Sequence, residues 1–289
     1  MEDLLRQLYQ DKASEPETLG IFIVEKEKVS ESITDLFDVV LLIVRSKKSE
    51  SWFVKHYEFR SMKVAVHYVN EELLYNWLIT GNNRRVIDWV FHGKILFDRN
   101  EFVSTLRERI NDFPLEDRKK KIGIEFAKLI RRFEDGKELY KAEHYFDAFN
   151  NIMHALHHLA RLAVIEHGFF PEVTVWKQVK SIEPQIYKLY EELIVGEEPI
   201  DKRLELLLIA NEFAVSSKTS LGATHLLEVM GQKEEVWSFS ELMNQTEVVD
   251  YALDLELLLN HLAKKDLVEV IRIETKGKGI FHRFYKKYK

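Results

Sequence analysis

The sequence predicts an α+β fold in three successive segments, and three observations predict it. Short β-branched runs, "LGIFIV" (19–24), "FDVVLLIV" (37–44) and "KVAVHYV" (63–69), alternate with helical periodicity over residues 1–112. Residues 113–216 carry helical periodicity with scarcely a strand signal. Residues 217–289 read helix, helix, helix, then two strands about a glycine-punctuated turn.

In the first segment "MEDLLRQLYQ" is amphipathic and leans acidic. The three apolar runs have the length and β-branched content of strands. "EELLYNWLI" (71–79) has helical spacing at Leu74, Trp77 and Leu78 and stops before Gly81 and Asn82. "RVIDWVF" and "KILFD" follow, and "KILFD" leads into the helical "NEFVSTLRERI". Strands and helices in this order predict a mixed sheet as the core of the segment. Pro114 and the charged "LEDRKKKIG" mark a boundary.

The second segment is read as a helical bundle. "YFDAFNNIMHALHHLARLAVIEHG" is a long amphipathic helix that Gly168 stops and Pro171 keeps from resuming. Pro184 interrupts "VTVWKQVKSIEPQIYKLYEELIVG", which predicts a broken helix or two short ones. "PIDKRLELLLIANEFAVSS" begins with Pro199 at or near a first turn.

Past "SSKTSLG" the pattern changes. "THLLEVM" predicts a short helix, and Ser238 with Glu241 in "SFSE" forms a capping box that opens a second. "DLELLLNHLAKKD" places Leu255, Leu258, Leu259 and Leu262 on one face of a third. "LVEVIRIE", "TKGKG" and "IFHRFYKKY" complete the element order of a winged helix-turn-helix.

Composition narrows the chemistry. The chain has 289 residues, 46% of them hydrophobic, enough for two or three cores. No cysteine is present, which excludes disulfides, thiolate zinc sites and cysteine nucleophiles. No apolar run reaches the roughly 20 residues of a membrane span, and no signal-peptide pattern opens the sequence. A cytoplasmic protein with no membrane partner is the expectation. The formal charge of −6 conceals an asymmetry. From Lys264 to Lys289 there are nine basic and three acidic residues, a balance of +6, so the remainder stands at −12. Such a tail is either a surface for an anionic partner or a solvated terminus.

The candidate chemistry centres on Asp38. In a strand, residues two apart share a face, so an Asp-x-Asp pair aims two carboxylates at one metal site. Two Mg²⁺ ions held this way stabilise in-line nucleotidyl transfer. The first segment resembles the nucleotidyltransferase domain of the polymerase-β superfamily. Its signature is a Gly-Ser or Gly-Gly pair, a spacer, then Asp-x-Asp or Asp-x-Glu, with a further carboxylate on a later strand. Gly20 matches the first glycine and Asp38 the first carboxylate. Ile21 replaces the second glycine or serine, Val40 replaces the second acid, and the spacer from Ile21 to Asp38 is long. "KVAVHYV" lacks an acid, leaving Asp88 as the nearest substitute, while "GKILFDRNEFVSTLRERI" (93–110) resembles the closing stretch of such domains. The whole chain resembles bacterial nucleotidyltransferase-like proteins that join this domain to a helical bundle and a winged helix.

The resemblance implies Gly20 on the cofactor side and Asp38 as catalytic and metal-binding residue, with Mg²⁺ and an NTP as cofactors if activity survives. Valine cannot ligate Mg²⁺, so the reading favoured is a scaffold that keeps the fold and loses the chemistry. The alternative is an active enzyme that moves a nucleotidyl group from an NTP to a small molecule, protein or RNA end.

For the winged helix the expected partner is DNA or RNA, or else protein, including a second copy of the chain as a homodimer. Lys264, Lys265, Arg272, Lys276, Lys278 and Arg283 are the candidate nucleic-acid contacts. The third helix starts with Asp254 and Glu256 and offers few donors to base edges. In the central segment His144, His154, His157, His158 and His167 crowd one helix. His154 and His158 have metal-ligand spacing but lack a glutamate between them and a third ligand, so a solvated or interhelical face is the competing reading. "RLAVIEH" (161–167) resembles the Arg-x₄₋₆-His motif of HEPN ribonucleases, which implies a ribonuclease centred on Arg161 and His167; interhelical contact is again the alternative.

Overall fold

In the computed structural model the described residues are 2–26, 34–59 and 61–288. They form two compact units, Met1–Pro114 and Leu115–Lys289. The spacer between Ile21 and Asp38 falls partly outside the described residues, as does Lys289 at the end of the basic tail.

The first unit is built on a five-stranded sheet. Its strands are β1 (Thr18–Glu25), β2 (Val39–Arg45), β3 (Trp52–Phe59), β4 (Met62–Asn70) and β5 (Lys94–Asp98), in the spatial order β3-β4-β2-β1-β5. β2 and β4 are parallel and every other pair is antiparallel. β2 is buried along almost its whole length because both faces are covered, which explains its unbroken apolar run. On one face Ile21, Ile23, Leu41, Ile43, Val64 and Val66 pack against α1 (Glu2–Ser14) through Leu5, Leu8 and Tyr9. Alternation puts Phe22, Val40, Leu42, Ala65 and His67 on the other face. There α2 (Glu71–Thr80), α3 (Arg84–His92) and α4 (Phe102–Asp112) cover the sheet. Asn70 caps α2 by accepting from the Leu73 N–H at 2.9 Å, and Gly81 ends it at φ 69°. The strand β3 has no counterpart among the predicted strands. It is a largely exposed edge strand that mixes Lys55, His56 and Glu58 with aromatics, so no clean period marks it.

The second unit joins the bundle and the winged helix. The bundle comprises α5 (Leu115–Lys141), α6 (Tyr145–Glu166), α7 (Val175–Ile182), α8 (Pro184–Val195) and α9 (Ile200–Met230). Pro184 separates α7 from α8, and Gly168 follows α6 at φ 85°. "THLLEVM" is not a separate short helix: it forms the last turns of α9, which runs unbroken for 31 residues through "SSKTSLG". Nothing in that stretch stops a helix, because Gly222 is tolerated and its missing side chain is needed. A Cβ there would stand 2.2 Å from the Phe126 ring on α5.

The end of α9 serves as the first helix of the winged helix. A short strand β6 (Trp237–Ser238) and α10 (Phe239–Met243) follow, with both arms of the Ser238–Glu241 capping box formed. After a 3-10 segment (Val249–Asp254) come α11 (Leu255–Lys264), β7 (Val268–Glu274) and β8 (Phe281–Lys287). The three strands make a sheet ordered β6-β8-β7.

Candidate functional site

Asp38 stands immediately before β2 and is exposed. Its carboxylate accepts the backbone N–H of Lys63 at 2.8 Å, and its own N–H donates to the Lys63 carbonyl at 2.9 Å. The side chain thus completes the start of the β2–β4 ladder. Val40, two residues on, is 1% exposed and lies in register with Ala65. An acid at Val40 would point into the helix-covered core. Asp88 is buried on α3, next to Trp89. Among the described residues no group of three or more His, Cys, Asp or Glu is placed to hold a metal ion.

Gly20 lies inside β1, opposite Val44 of β2 and Asp98 of β5. Asp38 is at the other end of the β1–β2 pair, where its carbonyl accepts the Lys26 N–H. Six residues of strand, about 20 Å, separate the two positions. The structure does not bring Gly20 and Asp38 together. A Cβ on Gly20 would stand 2.3 Å from Cγ2 of Val103, so the glycine lets α4 lie close on the sheet. Asp98 holds α4 there, accepting the Val103 N–H at 2.8 Å and the Ser104 hydroxyl at 2.9 Å.

The same sheet face carries a polar group without a counterpart in the sequence reading. His67 packs its ring 4.7 Å from that of Trp89. Burial, aided by the nearby charge of His56 and opposed by Asp35, lowers its pKa to about 4. The imidazole is therefore neutral at physiological pH.

In the bundle, His158 donates from Nδ1 to Glu125 at 2.7 Å, and the Arg161 guanidinium lies 3.8 Å from the same carboxylate. Glu125 and Arg161 are 3% and 7% exposed. Burial works against the Glu125 charge, yet the His158 hydrogen bond and the positive charges of His158, Lys128 and Arg161 hold its pKa below the usual carboxylate range. His157 instead accepts from Trp176 Nε1 at 3.3 Å, and Trp176 stacks on Tyr190 at 3.9 Å. His154 is exposed, whereas Nδ1 of His158 is taken up by Glu125. Arg161 turns inward to Glu125, whereas His167 sits half-exposed at the end of α6 with Nδ1 on the Ala163 carbonyl. The two residues of the ribonuclease-like motif do not converge on one site.

The basic candidates in the winged helix fall into three places. Lys276 and Lys278 are exposed at the hairpin tip, which Gly279 turns at φ 79°. Arg272 and Arg283 face each other across β7 and β8, both exposed. Lys264 and Lys265 close α11, Lys265 reaching the Ser216 hydroxyl at 3.1 Å.

The helix that reads bases in a helix-turn-helix is α11, and here its surface is largely occupied. Leu255, Leu258, Leu259 and Leu262 are wholly buried. Leu257, Asn260, His261 and Ala263 are half-covered, leaving mainly Glu256 and Lys264 in solvent. The cause is α5, which packs along α11 and the 3-10 segment before it. Arg131 of α5 bonds the Asp254 carboxylate and the Leu253 carbonyl, and Lys120 pairs with Asp250 at 2.8 Å. His261 accepts or donates at Thr219 (3.0 Å) and meets the Phe126 ring edge-on. Burial, together with Lys265 and Lys264, pushes the His261 pKa down to about 4.

Comparison with known proteins agrees with this layout. Residues 1–118 match a family described as nucleotidyltransferase-like, 119–218 a YgxA-like substrate binding domain, and 224–287 a helix-turn-helix domain. The uncharacterized protein YgxA of Bacillus subtilis (strain 168) is 47% identical over 285 residues, which span 99% of this chain and 97% of that one. The crystal structure of a nucleotidyltransferase-like protein from Exiguobacterium sibiricum 255-15 superposes with a TM-score of 0.84 at 40% identity, covering 99% of both chains. With that coverage and the same three segments in the same order, the chain belongs to the YgxA-like family of nucleotidyltransferase-like proteins.

Proposed function

We propose that this chain is a nucleotidyltransferase-fold protein without efficient nucleotidyl transfer, acting as a nucleic-acid-binding or regulatory protein through its winged helix. One observation carries the first half. The lone signature carboxylate, Asp38, is engaged with the Lys63 N–H, and the position that needs a second acid is the buried Val40. A two-metal transfer site needs several oxygen ligands converging on a pair of ions roughly 4 Å apart. Calorimetry with Mg²⁺ and each NTP tests this. The expected result is no Mg²⁺-dependent heat that disappears in Asp38→Ala. Tight Mg²⁺-dependent binding lost in that variant, with label transfer to an acceptor, would establish the active-enzyme alternative.

The second half is supported by the +6 balance of the tail against −12 elsewhere. It rests chiefly on Lys276 and Lys278, with Arg272 beside them on β7. Contacts from an exposed wing neutralise phosphates and carry little sequence information. The half-covered α11 fits poorly into a major groove, so the binding mode is backbone contact by the wing. In mobility-shift assays at low salt, reversal of Lys276 and Lys278 to Glu abolishes the shift. Wing residues removed one at a time reduce the slope of log K against log salt by about 1 each. A wild-type chain that shifts neither DNA nor RNA would refute this half.

A further inference from the structure

Between α5 and α11 lies a cavity of about 500 Å³ that neither the fold nor the wing explains. Glu134 and Glu138 of α5 line one side; Asn260, His261 and Lys264 of α11, with Arg283 of β8, line the other. Its volume is in the range of small-molecule sites, roughly 300–1,000 Å³.

The charges on its two walls are segregated. Glu134 and Glu138 are four residues apart and share one face of α5. Opposite them, Arg283 donates to Oδ1 of Asn260 at 3.0 Å. That bond fixes the amide so that its Nδ2 hydrogens are available to a further acceptor. Lys264 follows one turn later on α11. Among the described residues, no side-chain hydrogen bond or ion pair engages Glu134, Glu138 or Lys264. The carboxylates and the cations border one space without closing on each other. A purely anionic ligand would meet the glutamates, and a purely cationic one would meet Lys264 and Arg283. A molecule with both charges satisfies both walls.

We propose that this groove binds a small zwitterion, its ammonium group on Glu134 and Glu138 and its carboxylate or phosphate on Lys264, Arg283 and Asn260. The occupant touches α5 and α11 together, so binding holds α11 against α5. Lys264 and Arg283 then belong to this site, while Lys276 and Lys278 remain at the wing, and the two proposals can fail separately.

Saturation-transfer NMR on the full chain tests the site. Glycyl-glycine is the carboxylate probe and phosphoethanolamine the phosphate probe. At least one of them gives transfer, with affinity falling tenfold or more in the Glu134→Gln/Glu138→Gln double variant and in Lys264→Gln. If glycyl-glycine binds, its N-acetyl and C-amide forms, each short of one charge, bind at least tenfold more weakly. If phosphoethanolamine binds, ethanolamine and inorganic phosphate do likewise. The substituted groups lie on helix surfaces, and unchanged thermal midpoints verify that the variants fold. Absence of transfer from both probes, or transfer that survives these substitutions, overturns the proposal.

Discussion

At the scale of the residue, Gly20 and Glu125 both take their roles from neighbours distant in the sequence. Gly20 fits a phosphate-binding signature by residue type, but its neighbours in space are Val103 and Phe102. Gly20→Ala is expected to destabilise the first unit by about 1–3 kcal/mol through overpacking, measured by urea unfolding. Val103→Ala added to it recovers part of the loss. Glu125 makes a second prediction. Its carboxylate is buried beside His158 and Arg161, so Glu125→Ala strands buried positive charge at a cost of about 3–5 kcal/mol. The folded pKa is depressed, so the stabilisation is fully present above the ordinary value of 4.5. It declines as pH falls below 4.5, by about 1.4 kcal/mol per pH unit, because the unfolded chain then binds a proton that the folded chain does not. Stability followed by unfolding at successively lower pH should therefore fall less steeply in Glu125→Ala than in the wild type, by about that amount. Neither residue's role was legible beforehand. Glu125 and His158 are 33 positions apart, and no local spacing announces a partner at that range.

At the scale of the element, local signals were read well where one principle dominates. The Ser238–Glu241 capping box, the Pro184 break and the four leucines of α11 depend on near neighbours, and each stands in the structure. Two long elements escaped, as did the two-residue strand β6 and the 3-10 segment. The edge strand β3 has one side in solvent and no clean alternation. The continuity of α9 was hidden because Ser, Thr and Gly in "SSKTSLG" resemble a linker, while tertiary packing against Phe126 overrides their weak helix propensity. The docking of α11 was also illegible. A leucine-rich face reads the same whether it packs on its own hairpin or on a neighbouring helix. Arg131 is the test of that docking. Arg131→Ala is expected to cost about 1–2 kcal/mol and to speed amide exchange over residues 249–264 about tenfold, with little change in β1, β2 and β4. Hydrogen-exchange mass spectrometry reads both regions at once.

At the scale of the whole molecule, the three-segment order was visible because each segment carries its own signal: short β-branched runs among helices, then helical periodicity alone, then short helices before a hairpin. The grouping of bundle and winged helix in one compact unit was not, since it depends on contacts such as Tyr251 against Gly123. The Tyr251 hydroxyl reaches His225 at 2.9 Å and fills the space left by the absent Gly123 side chain. Residues 217–289 expressed alone lose the α5 surface beneath Tyr251 and α11. They are expected to show no cooperative thermal transition in near-ultraviolet circular dichroism, whereas residues 115–289 melt in one step. A sharp transition in the shorter piece would show that the winged helix is self-sufficient. No helix among the described residues is long and apolar enough to cross a membrane.

The unbroken α9 has a mechanical meaning. At 1.5 Å per residue, its 31 residues make a rod of about 46 Å with no joint between bundle and winged helix. A hinged connection would let the wing swing to fit a curved or flexible partner while the bundle stayed still. A rod transmits torque instead, so any partner that grips Lys276 and Lys278 pulls on the whole second unit. Under the wing contact proposed above, the second unit acts as one stiff body, and bending it requires the packing of Gly222 on Phe126 to come apart first.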